Sequence, residues 1–352
     1  MDDDPFSGLD LRPVSLADQA KFNEYLACLK EPLSDYTFSQ LFTWGNSLRI
    51  LWKELHGHLC VFANGTGDLT MLMPPIGDGP GQRALAEAFA IMDAYNDAHQ
   101  AHGHSRIEYV SEELLERFEN PGIVAEPMGG DYVYHVRRMI ELTGGDLASK
   151  RQLKNRFIRN YEFRLESYQA PVHRLECLQL LCLWKRQQDA QHQSRHPIIA
   201  LKRQKETLAC ELTLECAHEL GTEGLVVYTR PKSAVDGADG WSLSGFTFGE
   251  ALGPGQSSIL IEKTDLRIRG LPQFIFSEFC RQCWAQQPLV NVGDDWGLET
   301  LAWTKMSYRP VRIMRKYTLQ QASRTVVQLP ATACVPTPVN AVAKSRSTVL
   351  RQ

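Results

Sequence analysis

Residues 291–310 read NVGDDWGLETLAWTKMSYRP. The run PLVNVG (288–293) predicts a strand, and LETLAWTKM (298–306) predicts a short helix. Two carboxylates, Asp294 and Asp295, therefore stand at a strand's carboxyl end, and Lys305, Tyr308 and Pro310 close the helix. Helix capping by Asp295, with Lys305 against the dipole at the other end, accounts for both charges structurally. The same groups also suit chemistry. A carboxylate can take a proton from an attacking amine or hold a substrate ammonium, and a cation can offset charge growing on a carbonyl oxygen or a leaving group. Asp295, Lys305 and Tyr308 are thus the candidate catalytic residues, with Asp294 as a candidate for binding an acceptor.

Working outward from this stretch, strands and helices mix along the whole chain. Helical spacing covers 16–29 and 34–45, and RILWKEL, HLCVFA and DLTMLMP (49–74) follow as short strands parted by turns. The first half then gives a helix over 82–101, a strand over 106–110, a short helix over 111–118 and a strand over 132–136. The second half repeats the theme. Helices are predicted over 146–161, 175–191, 197–220 and 271–286, with strands over 162–168, 224–230, 241–252, 257–265, 288–293 and 311–319, and a Gly/Asp-rich insert over 233–240. This is an α+β pattern with a mixed, mostly antiparallel sheet flanked by helices. The shared order suggests two domains of one architecture, 1–140 and 141–319, with 320–352 as a flexible tail.

A net charge of −3 means that an anion site must be a local patch rather than a property of the whole molecule. No apolar run approaches the roughly 18–20 residues that span a bilayer. MDDDPFSGLD, at the N-terminus, lacks the basic-then-apolar order of a signal peptide. Nine scattered cysteines suit reduced thiols, so a cytoplasmic location is expected. Cys280 and Cys283 form a CxxC, but on a predicted helix with no second pair. His56, His58, His99, His102 and His104 have no acid or cysteine grouped with them in sequence. No metal site is expected.

Two further stretches carry charge in a suggestive pattern. In 259–279, ILIEKTDLRIRGLPQFIFSEF, a strand ends at Glu262–Lys263. Arg267, Arg269 and Gly270 then precede a helix start, where free backbone N–H groups and paired arginines suit a phosphate. A solvated turn in which the cations pair with Asp265 or Glu262 explains the same residues. In 149–164, SKRQLKNRFIRNYEFR, Lys150, Arg151, Lys154 and Arg156 stand on a helix. Lys150 and Lys154 share the side of Phe157 and Tyr161. A cation on a packed side costs desolvation unless an anion meets it, which points to a cleft for phosphate or carboxylate. Snorkelling lysines on a solvated face are the plain alternative.

Together, DYVYHVRRMIELTGGDLASKRQLKNRF (131–157), FTFGEALGPGQSSILIEKTDLRIRG (246–270) and VNVGDDWGLETLAWTKMSYRPVRIMRKY (290–317) resemble the family of the C-terminal domain of phosphatidylglycerol lysyltransferase, including its stand-alone bacterial relatives. The matching positions include Asp131, Tyr132, Tyr134, Lys150, Arg151, Arg156, Phe157, Glu262, Lys263, Asp265, Gly270, Asn291, Asp295, Gly297, Lys305, Ser307, Tyr308 and Pro310. The resemblance implies two tandem acetyltransferase-like (GNAT) domains, the second carrying the active site. It also implies transfer of an aminoacyl group from aminoacyl-tRNA to a lipid headgroup, peptide or small-molecule acceptor, with no tightly bound cofactor. In that scheme Arg267, Arg269 and Gly270 hold donor phosphates. Lys150, Arg151, Lys154, Arg156, Glu262 and Lys263 line the donor groove, and Asn291 and Tyr134 join Asp294 in binding the acceptor. The chain departs from the family at Trp296, Ala302 and Trp303, which leaves the acceptor open. An acyl-CoA-dependent transferase and a non-catalytic module that binds nucleotide, tRNA or peptide are the alternatives.

Overall fold

The thirteen-residue strand Ile123–His135 is the spine on which the two halves of the chain meet. The computed structural model describes residues 6, 8–65, 67–101, 105–118, 120–191, 197–233, 240–253 and 255–322. His102, His104, most of the 233–240 insert and the expected tail from 323 onward lie outside the described residues.

In chain order the strands are β1 (Arg12–Pro13), β2 (Ile50–Leu55), β3 (His58–Ala63), β4 (Thr70–Met71), β5 (Ile76–Gly77), β6 (Arg106–Ser111), β7 (Ile123–His135), β8 (Tyr161–Ser167), β9 (Glu223–Pro231), β10 (Ser242–Gly253), β11 (Gln256–Thr264), β12 (Leu289–Asn291) and β13 (Arg312–Gln321). The helices are α1 (Gln19–Leu26), α2 (Phe38–Thr43), α3 (Gly45–Leu48), α4 (Gln82–Ala98), α5 (Glu112–Phe118), α6 (Val136–Glu141), α7 (Ala148–Asn160), α8 (Ala170–Gln191), α9 (Pro197–Leu220), α10 (Leu271–Cys283) and α11 (Glu299–Met306).

The α+β reading holds, with one large mixed sheet. Its order is β1-β2-β3-β4-β6-β13-β7-β12-β11-β10-β9-β8, with β5 paired to β3. Only β4–β6 and β11–β12 are parallel among the described pairs. The strands expected in two sheets join in one because β7 is long enough to pair twice. It takes β13 from Arg312↔Val133 to Gln321↔Ile123, and β12 at its carboxyl end, where His135 faces Leu289. The final strand β13 thus lies between two strands of the first half.

Sequence reading gave only the last residues of β7, since Pro127, Gly129 and Gly130 look like turn signals. At Gly130 a Cβ would come within 2.5 Å of the Met314 carbonyl oxygen, so glycine is what lets β13 close on β7 there. Helices follow periodicity more faithfully. In α4 the buried residues Ala84, Leu85, Ala88, Phe89, Met92 and Tyr95 form one stripe.

Three buried clusters hold the layers. One spans the first half and takes in Val133, Met314 and Leu319. A second packs α6, α7 and α10 against the sheet through Met139, Phe157, Phe274 and Phe279. The third lies under α8 and α9, where Val226, Phe246 and Phe248 meet Cys177 and Leu214.

Candidate functional site

The parallel pair β11–β12 is short. It runs only from Gln256↔Leu289 to Ser258↔Asn291. Beyond it β11 continues to Thr264, while β12 ends and leads into the 292–298 loop. The strands part there, and Glu262 stands on the freed length of β11. It is only partly exposed, and it has no hydrogen-bond or ion-pair partner among the described residues. Burial pushes its carboxyl up to about 8, against the pull of the neighbouring Lys263. Burial, with help from Glu262, also raises the Tyr308 phenol well above its ordinary range. Tyr308 packs edge-on to Phe276, 5.6 Å between ring centres, and lies 6.2 Å from Tyr134.

Lys150 approaches Tyr308 from α7. Its ammonium sits 4.4 Å from the centre of that ring and 5.9 Å from Trp303. The residue is 8 % exposed, and its ammonium has no hydrogen bond or ion pair among the described residues. Burial lowers its pKa. The helix places Lys150, Lys154 and Phe157 inward, as their spacing predicts, but only Lys150 is left without an acceptor. Lys154 donates to Ser277 Oγ (2.6 Å) and Glu278 Oε1 (2.9 Å).

Asp294 and Asp295, in the loop after β12, turn to different partners. Asp295 Oδ2 accepts from the Tyr132 hydroxyl at 2.6 Å, and its Oδ1 caps Gly297 N. Asp294 turns to Lys316, 3.2 Å away. That lysine, 1 % exposed, also meets Asp35 and, at 2.6 Å, Asp131. Asp131 is fully buried and accepts further from Ser34 N and Asn291 Nδ2. Burial works to raise Asp131, but Lys316 and these donors hold it below its usual range. Asp35 has fewer such donors, and burial leaves it at about 6.

Several expected roles take a different form. Lys305 is a clamp. Its ammonium donates to the carbonyls of Val292 (2.6 Å), Gly293 (3.1 Å) and Asp294, and burial pulls it down to about 8. Asn291 and Tyr134, expected on the acceptor, are spent internally. Asn291 is fully buried between Asp131 and Gly293 N, and the Tyr134 hydroxyl donates to the Lys305 carbonyl. Lys263 points to the α8–α9 side, where it pairs with Glu206 at 2.5 Å over the Trp184 ring, so it does not share Glu262's space. Arg151 holds the loop after α6 through the carbonyls of Leu142 and Gly144. Arg267 is paired with Asp265, as the plain reading of that turn expected. Gly270 serves packing rather than phosphate approach, since a Cβ there would lie 2.1 Å from the Leu153 carbonyl oxygen. Arg156 and Arg269 are exposed.

Lys316 and Asp35 escaped sequence reading. A signal exists: Lys316 stands in the buried phase of VRIMRKYTL, two residues from Met314, and a lysine there requires an acid. A groove lined by His135, Arg137, Arg138, Glu141 and Pro288 contains none of the candidate residues. Among the described residues no three His, Cys, Asp or Glu side chains gather as metal ligands. Cys280 and Cys283 are free thiols on α10.

Chemically, the arrangement offers one buried ammonium open to an anion and one carboxyl able to change charge near neutral pH. Tyr308, packed with Phe276 and Tyr134, is the aromatic group the ammonium faces. The family agrees with acyl transfer. Residues 26–320 match the model for the phosphatidylglycerol lysyltransferase C-terminal domain, and the chain belongs to that family. Solved structures of similar fold include a conserved protein of unknown function from Bacteroides thetaiotaomicron. It is 22% identical, with 89% of this chain and 99% of that one covered, and a TM-score of 0.73. L-PGS from Bacillus licheniformis is 15% identical, with 90% and 94% covered and a TM-score of 0.57. No curated protein matches.

Proposed function

We propose that this chain is an acyltransferase that moves an aminoacyl group from aminoacyl-tRNA to an amine or hydroxyl acceptor. The observation that carries the reading is a pair of ionisable groups near Tyr308 without partners among the described residues: Lys150, whose ammonium lies 4.4 Å from the ring centre, and Glu262, whose charge acts on the phenol. Leaving a buried charge unpaired is costly, and such a cost is expected where a substrate completes the pairing. Glu262, as carboxylate, accepts a proton from the acceptor as its nitrogen or oxygen attacks the ester carbonyl. Lys150 offsets the negative charge that collects on that carbonyl oxygen or the departing oxygen. The new bond forms as the ester C–O bond breaks, and the leaving hydroxyl takes a proton that the Tyr308 phenol is placed to donate. Asp295, anchored by Tyr132, can hold an acceptor ammonium. The family supports acyl transfer, and a lipid headgroup is the acceptor class its description favours.

The two halves, 1–140 and 141–319, are read as tandem GNAT-like units with β13 returned to the first. A cytoplasmic setting agrees with the free thiols at all described cysteines and with the absence, among the described residues, of any helix long and apolar enough to cross a membrane. The acyl-CoA reading is weaker. It needs the β11–α10 turn to grip a pyrophosphate, and there Arg267 is held by Asp265 while Gly270 lies against α7.

The test is discharge of labelled aminoacyl-tRNA in the presence of phosphatidylglycerol vesicles, small amines or peptides, beside an acetyl-CoA assay. Product that disappears in Glu262→Gln and falls steeply in Lys150→Met is expected. Discharge unaffected by both variants, or product from acetyl-CoA alone, overturns the reading.

A further inference from the structure

The β11–α10 turn sits at a junction of three basic elements. Gln187 of α8 fixes it directly: its side chain donates to Asp265 Oδ1 (2.8 Å) and accepts from Leu266 N (2.9 Å). Lys185 and Arg186, next to Gln187, are exposed. Opposite them on α9, Arg203 reaches Asp189 of α8 at 3.7 Å, and the neighbouring exposed Lys202 donates to the Trp296 carbonyl in the 292–298 loop. From the other side α7 packs its Leu153 carbonyl against Gly270, and Arg156 and Arg159 are exposed on the same helix.

The charge balance is local and lopsided. Between 184–189, 201–206 and 263–269 stand eight cations and three acids, a net of +5, in a chain whose total is −3. The three acids are already engaged: Asp189 with Arg203, Glu206 with Lys263 and Asp265 with Arg267. Lys185, Arg186 and Arg269 have no ion-pair partner among the described residues. A surface of this kind lowers the free energy of a polyanion by counterion release.

We propose that the surface formed by the end of α8, the start of α9, the β11–α10 turn and the exposed side of α7 is a docking site for structured RNA. It adjoins the end of β11, the strand that carries Glu262. The inference rests on the reading of aminoacyl-tRNA as donor and names the part of this chain that grips it. A nucleic acid fits better than an anionic bilayer. The cations stand on four separate backbone segments, α7, α8, α9 and the β11–α10 turn, whereas neither α8 nor α9 segregates an apolar face from a charged one, as a helix lying in a headgroup layer does.

The experiment is fluorescence anisotropy of the full chain with labelled, deacylated tRNA across 50–200 mM salt, which keeps docking separate from chemistry. With about six phosphate contacts the affinity falls roughly a thousandfold over that range. The triple reversal Lys185→Glu, Arg186→Glu, Arg269→Glu weakens binding at least tenfold and flattens the salt slope by about three contacts. Arg83→Glu, an exposed change on α4, does neither. Thermal unfolding of each variant checks that the fold persists, and single reversals at each site replace the triple if it unfolds. Binding that is weak at all salts overturns the proposal, as does binding indifferent to the reversals. So does capture of phosphatidylglycerol vesicles, but not tRNA, through the same residues. Loss of docking in the reversals without any aminoacyl discharge by the wild type upholds the surface and removes the transferase reading. Discharge whose KM for aminoacyl-tRNA ignores the reversals does the opposite.

Discussion

Replacing Glu262 by Gln tests the site without touching its shape. The carboxyl titrates near 8 in the folded chain and near 4.3 when unfolded. A carboxyl raised in this way favours folding while it is protonated. That contribution is whole below the unfolded pKa and drains away as pH rises through the folded one. For a wholly buried group, the loss between pH 5 and pH 9 comes to about 4 kcal/mol. Glu262 keeps some exposure, which screens the penalty, so roughly half of that, about 2 kcal/mol, is the working figure. The amide is neutral throughout and has no such drift. Urea unfolding of both proteins at pH 5, 7 and 9 should therefore show curves that agree at pH 5 and separate by about 2 kcal/mol at pH 9, the Gln form above. In transfer assays the wild-type rate should climb with pH towards 8 as the carboxylate forms, while the variant is inactive at every pH. Stability curves that stay parallel from pH 5 to pH 9 would falsify the claim that Glu262 is a strained carboxyl held for use.

Lys150→Met removes an unpaired buried cation and should raise stability by about 1 kcal/mol while cutting transfer at least a hundredfold, so a variant that is both less stable and fully active contradicts its assignment. Lys316→Met strands three acids and should cost about 3–5 kcal/mol at pH 8. Part of that deficit should return below pH 6 as Asp35 takes a proton, as unfolding at the two pH values would show. Gly270→Ala puts a Cβ into the Leu153 carbonyl at a φ of 94°, for an expected loss of about 2–4 kcal/mol by urea titration. An unchanged midpoint would mean that α7 and α10 are not locked at that glycine.

The sequence made helices legible wherever burial follows one stripe. It expected α9 over 197–220 and the structure gives Pro197–Leu220. It misjudged β7, because glycines that admit a close neighbour look the same in sequence as glycines that turn a chain. The same ambiguity governed Gly270. Its position at a helix start suggested a phosphate, and its neighbour is a carbonyl from another helix. For the site, the inward phase of Lys150 and Lys154 was readable from helical geometry, but which of the two lacks a partner depends on Ser277 and Glu278, more than a hundred residues away. Lys305 and Asp294 were recognisable as special. Their partners, backbone carbonyls and Lys316, come from loop shape and strand order, which spacing does not encode.

The corner at 292–298 is held by polar ties instead of a packed face. None of α11's residues is buried, so hydrophobic burial contributes little to its position. It is fixed from within by Lys305 on three carbonyls, from below by Asp294 on Lys316 and from the sheet by Tyr132 on Asp295. It is held from the side by Lys202 on the Trp296 carbonyl and by Trp44 edge-on to Trp296, 5.9 Å between rings. Trp296 itself has a left-handed φ of 55°, a conformation that costs a non-glycine residue about 1–3 kcal/mol and persists only where its surroundings impose it. Ties of this kind are directional, so they set the orientation of Asp295 more sharply than packing could. They also pass through Lys316 to Asp35, which titrates at about 6. The loop thus divides two adjacent carboxylates between separate tasks: Asp294 secures the corner to the buried charges around Lys316, and Asp295, bonded to Tyr132, is left on the side of the cluster that contains Tyr132 and Tyr308.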